Sequence, residues 1–212
     1  MSVVAATLSM QAAGGQADPT PARLLGGDVP GLPVQAVAGG EVVLSITVSD
    51  TGAVGPIDVL RSTPPFTDAV VAVVRGWRFA AALDAMRKPM ASRVLVGAMF
   101  GAPSVNTPTV GEPPKDLVPP ATALPLPLTT SMPVYPVNAR SAGTVVIETL
   151  VSATGRVVGV TAIRSSPPFD ELAMEAARGW SFRPPRGPDL PPNTYAYLVF
   201  GFRPPVVSPA VK

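Results

Sequence analysis

The sequence predicts an α+β protein made of two repeats of a three-stranded antiparallel-type sheet with one packed helix, in the order strand, strand, helix, strand, joined by a proline-rich linker. Three observations predict it. Sliding the 212-residue chain against itself by 103 positions aligns residues 31–79 with 134–182 without a gap, and about 20 of the 49 pairs are identical. Each copy holds two runs of two-residue alternation around a glycine turn, followed by one helical stripe. Between the copies, residues 104–130 are crowded with proline and have no sustained period, as expected of a polyproline-like connector.

The elements follow in order. Val42, Leu44, Ile46 and Val48 alternate with Val43, Ser45, Thr47 and Ser49, and Val145, Ile147, Thr149 and Val151 repeat the pattern, so each copy opens with a strand. Asp50-Thr51-Gly52 and Ala153-Thr154-Gly155 supply hairpin turns, with glycine at the position that needs positive φ. Second strands run through 54–60 and 157–163; Pro56 puts the first of them at a sheet edge, because proline cannot donate to a ladder. Paired prolines then stop each strand. Phe169, Leu172, Ala173, Ala176, Ala177 and Trp180 form a helical stripe, matched by Phe66, Ala69, Val70, Val73, Val74 and Trp77. Third strands run through 92–100 and 194–202. A right-handed crossover puts the first strand between the other two, leaving the third strand as the second edge.

Composition excludes several functions. Cysteine and histidine are absent, which removes disulfides, thiolate metal sites, Cys nucleophiles and the usual general base of Ser hydrolases. Sixteen Lys and Arg face 14 Asp and Glu, too small a surplus for a nucleic-acid surface. Asp170, Glu171 and Glu175 fit a helix N-terminus better than a carboxylate pair for acid-base work, since the helix dipole alone favours them there. No catalytic, cofactor-binding or metal-ligating residues are assigned, and the chain is read as a non-enzyme. Trp77, Phe79, Trp180 and Phe182 are read as core.

The third strands carry the candidate site. Tyr195, Tyr197 and Val199 alternate with Ala196, Leu198, Phe200 and Phe202, and Leu95 and Met99 with Val94, Val96, Ala98 and Phe100, so both faces are apolar where a strand covered on one side would turn polar. Two coverings are open: the connector or the sister repeat, with the third strands meeting edge to edge about a pseudo-two-fold axis, or a docked partner. Tyr195, Tyr197, Leu198, Val199, Phe200, Val94, Leu95, Val96 and Met99 are therefore the predicted partner-binding residues.

In copy two, Tyr135-Pro136, Ala139, Gly143, Val145, Ile147, Val151, Gly155-Arg156-Val157, Ser165-Ser166, Asp170, Ala176, Trp180, Phe182, Pro184 and an aromatic last strand together resemble the TonB C-terminal domain, the periplasmic end of bacterial energy transducers. Copy one is similar, with Leu32 in place of the usual tyrosine and Ala80-Ala81 where a proline normally follows the aromatic pair. The resemblance implies a non-catalytic periplasmic module that takes an extended peptide at the edge of its last strand by β-augmentation. It implies envelope protein partners and no cofactor, while the apolar third strands leave the repeats able to dock on each other. The alternative is an accessory subunit held permanently in a membrane-associated complex. Residues 1–23 are read as a signal-like or flexible segment, 24–103 as repeat one, 104–130 as the linker, 131–206 as repeat two and 207–212 as a tail. No run reaches the roughly 18 to 20 apolar residues of a membrane span, so no anchor of its own is expected.

Overall fold

A computed structural model describes residues 17–34, 36, 38–103, 110–111, 124–187 and 190–205. The first half runs β1 (Arg23–Gly26), β2 (Gly40–Val48), β3 (Val54–Arg61), α1 (Phe66–Val74), β4 (Arg78–Ala80), β5 (Ala82–Leu83), β6 (Pro89–Met90) and β7 (Ser92–Phe100). The second runs β8 (Val110–Gly111), β9 (Pro127–Ser131), β10 (Gly143–Ser152), β11 (Val157–Arg164), α2 (Asp170–Arg178), β12 (Ser181–Phe182) and β13 (Asn193–Phe202). The described residues are α+β, with two helices and a mixed main sheet.

The turn glycines behave as their spacing requires. Gly52 and Gly155 have φ of 81° and 80°, and a Cβ on them would fall 1.9 and 2.0 Å from the carbonyl oxygens of Phe79 and Phe182. Only glycine fits such a turn. Both helices end sooner than the stripe implies. Gly76 and Gly179 follow them, and Trp77 and Trp180 donate their backbone N–H to Val74 and Ala177 at 3.0 and 3.2 Å, tightening the last turn. Both tryptophans still fill the core, 1% and 2% exposed.

Two separate three-stranded sheets were expected; the chain forms one six-stranded sheet in the order β11-β10-β13-β7-β2-β3. β10 lies antiparallel between β11 and β13, and β2 antiparallel between β3 and β7. The junction is parallel: Leu95 through Phe100 of β7 pair with Ala196 through Gly201 of β13. The third strands are thus interior strands, and this corrects their assignment as open edges. Two-sided apolarity is what a parallel strand buried on both faces requires.

Joining like strands in parallel relates the halves by a rotation about an axis along the strands, which turns their helices to opposite faces. α1 packs with Val42, Leu44, Ile46, Val48, Val94, Val96, Ala98 and Phe100, in a cluster completed by Val146, Tyr197 and Val199 of the second half. α2 packs with Val145, Ile147, Val151, Ala196, Leu198 and Phe200, completed by Val43, Leu95 and Met99 of the first. Each half covers the face that the other leaves bare. Matching aromatic stacks brace the two clusters: Phe66 on Phe100 at 4.4 Å and Phe169 on Phe202 at 4.5 Å between ring centroids.

Two boundaries also move. Ala22 is buried, and Thr20 bridges to Leu83, so the first half begins before residue 24. Within the expected linker, β9 pairs with both β12 and β8, and Leu124 and Leu126 are 2% exposed in the α2 cluster. Short apolar stretches between prolines carry no period, yet they find ladder partners beside the post-helix strands. Residues 1–16, 104–109, 112–123 and 206–212, which include most of the predicted linker, the signal-like segment and the tail, lie outside the described residues.

Candidate functional site

The predicted site residues lie together, in the middle of the sheet. Leu95, Val96, Tyr197, Leu198, Val199 and Phe200 are fully buried, Val94 is 3% and Met99 9% exposed, and Tyr195 is half-buried. From Leu95 and Ala196 onward the backbone groups are used on both sides, by β2 and β10 outward and by each other at the junction, while Val94 and Tyr195 just before it pair only outward. A strand arriving from outside finds no free ladder there. Three contacts explain how tightly the junction closes. Trp180 of the second half lies on Gly97 of the first, and Trp77 and Phe79 of the first meet the Tyr197 ring edge-on at 6.2 and 5.7 Å.

Sequence reasoning missed a polar lock on the same face. Glu148 is 5% exposed on β10 and receives Arg23 Nε and Nη2 at 2.9–3.2 Å. The Tyr197 hydroxyl accepts the Leu24 N–H at 2.7 Å and reaches Glu148 at 3.4 Å. Burial holds the Tyr197 phenol above the usual tyrosine range, so it stays a neutral donor and acceptor. β1 is thereby pinned across the second half. The signal was an ionisable residue at 148 on an otherwise apolar face, with Ser45 at the matching place. Ser45 is instead engaged by Arg93, which also pairs with Asp58.

The six-stranded sheet ends at β3 and β11, and these ends differ. β3 carries Pro56, which has no N–H, and Asp58 with its ion pair; both are devices that keep foreign strands off an edge. At the matching positions β11 has Gly159 and Thr161, and residues 157–163 hold neither proline nor charge. Bulges flank the regular ladder of β11, which covers residues 159–162 opposite 147–150. Arg156 pairs its backbone with Ser181, closing the edge at its beginning. From Val157 to Arg164 no second strand lies on the outer side of β11 among the described residues.

Elsewhere the surface offers little chemistry. A groove of about 370 Å³ lies between Pro19–Ala22, Leu83, Met90, Val94 and Leu190–Pro191, walled mainly by apolar side chains. Among the described residues no three acidic side chains gather to hold a metal ion, and no helix is long and apolar enough to cross a membrane.

The described residues thus form a helix-backed mixed sheet with buried aromatic anchors and, at β11, an outer strand with no neighbour among the described residues. Residues 131–202 match the family described as the Gram-negative bacterial TonB protein C-terminal. The match spans about a third of the chain and supports a TonB C-terminal-like domain there; at the level of the family such domains are periplasmic protein-interaction modules. No curated protein matches the chain.

Proposed function

We propose that the chain is a non-catalytic periplasmic interaction protein made of two TonB C-terminal-like copies, which saturate each other's third-strand edges and take an envelope partner by strand addition at the outer edge of β11. The observation that carries this reading is the contrast between the two outer edges. β3 is blunted by Pro56 and Asp58, whereas β11, within the family-matched residues, has Gly159 and Thr161 and an unpaired outer side. Unpaired strand edges are templates for another strand, and evolution ordinarily protects them unless they are used. The third-strand residues 94–100 and 195–200 act in this reading as the internal seam that holds the two copies together.

The test uses the whole chain. Wild-type protein, cross-linked in a periplasmic and envelope extract, is expected to recover one defined partner. Gly159→Pro and Thr161→Asp, which install the first half's residues at the matching positions, are expected to lose it. Recovery of the same partner by both variants would refute edge addition at β11.

The second reading is an accessory subunit held permanently in a membrane-associated complex. Its support is compositional: 47% of the chain is hydrophobic and 14% charged. Size-exclusion of native extracts separates the two: a subunit comigrates with a large assembly, and an adaptor runs mainly free.

A further inference from the structure

Resting on the reading of β11 as the acceptor edge, we infer that its ligand is an extended protein segment with an uncharged, β-branched centre and an acidic residue at each end. The centre follows from residues 157–163, Val-Val-Gly-Val-Thr-Ala-Ile, whose exposed Val158 and Thr161 offer apolar and hydroxyl contacts and no charge. The ends follow from Arg156 and Arg164, which bracket that run. Neither has a carboxylate partner among the described residues. Arg164 donates only to the carbonyls of Gly27 and Ile163, at 3.0 and 2.9 Å, so its charge is uncompensated.

The first half shows that this is a departure and not a demand of the fold. Arg61 stands where Arg164 does and is neutralised by Glu41 at 2.8 Å, while the residue matching Glu41 is Thr144 and the residue matching Arg156 is Ala53. At the blunted edge the cation is paired; at the open edge there are two and both are unpaired. The regular ladder of β11 is only four residues long, so a bound strand gains few backbone hydrogen bonds, and contacts at its ends weigh correspondingly more.

The charges also decide against a second copy of the chain. Two β11 strands paired antiparallel about Val160 would set Arg156 against Arg164 at both ends, and like charges directly opposite are destabilising. A foreign segment with carboxylates there meets opposite charge instead.

The test measures binding of labelled synthetic peptides to the whole chain by fluorescence anisotropy. One peptide has an alternating Thr-Val centre with Asp at both ends, and the other has the same centre with Lys at both ends. The Asp-ended peptide is expected to bind about tenfold tighter at low salt, the gap narrowing as salt rises. Gly159→Pro and Thr161→Asp are expected to remove binding of both peptides, read at a temperature well below each variant's own thermal midpoint, with far-UV circular dichroism checking that each keeps its strands. The double variant Arg156→Glu/Arg164→Glu is expected to reverse the preference. Equal binding of both peptides, lost in Gly159→Pro, would overturn the charged ends and leave the acceptor edge standing. Binding untouched by Gly159→Pro and Thr161→Asp would overturn the edge and the inference together. Failure of the Asp-ended peptide to bind, or a dimer of the wild-type chain that Gly159→Pro abolishes, would overturn the inference.

Discussion

Gly97→Val probes the seam between the two halves. A Cβ at Gly97 would lie 3.2 Å from Leu198 Cδ2 and 3.2 and 3.3 Å from Trp180 Cζ3 and Cη2, all atoms of the second half. Those contacts are tighter than ordinary van der Waals approach, and valine adds two further methyl groups against an indole that is 2% exposed. Overpacking of this kind costs about 1–3 kcal/mol. Valine's preference for strands over glycine returns up to about 1 kcal/mol, so the net loss is centred on about 1–2 kcal/mol. For a protein of this size that is a fall of roughly 2–8 °C in the thermal midpoint. The assay is differential scanning calorimetry, with Trp fluorescence as a second probe. One transition should shift, and both probes should move together, because Gly97 lies in the first half and Trp180 in the second. Gly55→Val on the exposed outer strand, where the nearest atom to a new Cβ is 3.6 Å away, should change the midpoint little. Were the halves independent, Gly97→Val would be neutral or stabilising through strand preference alone, and that result would refute the merged sheet.

Further outcomes follow from the same contacts. Arg23→Ala leaves the Glu148 carboxylate buried without its cation; the expected loss is about 1–2 kcal/mol by urea unfolding, less than for a fully buried pair because the Arg23 side chain is 58% exposed, and Arg23→Ala/Glu148→Gln should recover part of it. Burial raises the pKa of Glu41 above the usual carboxylate range, outweighing the attraction of Arg61. A raised folded-state pKa contributes stability that is full below the unfolded value and lost as pH rises through the folded one, so the stability of the wild type relative to Glu41→Gln should grow as pH falls from neutral; an opposite slope would contradict the assignment. Gly155→Ala, at φ of 80° and 2.0 Å from the Phe182 oxygen, should cost about 2 kcal/mol or more in chemical unfolding.

The local elements were legible because their physics is local. The Asp50-Thr51-Gly52 and Ala153-Thr154-Gly155 turns, the alternating strands beside them and the helical stripes all appear where residue spacing puts them. The helices end before Trp77 and Trp180, and Gly76 and Gly179, one residue ahead of each tryptophan, were the unread stop signals. For the third strands, two-sided apolarity left two covers open, the sister repeat or connector and a docked partner. It did not name the cover, because a period of two reports which face is buried and says nothing of the strand alongside. The position of β1 and β9 was hidden for a different reason: Arg-Leu-Leu-Gly and Pro-Leu-Thr-Thr-Ser are too short to show a period, and they are ordered by pairing with β4 and β12. The difference between the outer edges was present in the repeat itself, in Pro56 against Gly159 and Asp58 against Thr161. It acquires meaning only when the third strands are paired and the second strands become the two ends of the six-stranded sheet.

Native-state amide hydrogen exchange, followed residue by residue by NMR, tests the central claim most directly. If β7 and β13 close on each other, the amides of residues 95–100 and 196–201 exchange together at the slowest rates in the protein, while outward-facing amides of β11 exchange far faster. Third-strand amides exchanging as quickly as those of β11, or the two third strands opening at separate free energies, would contradict it.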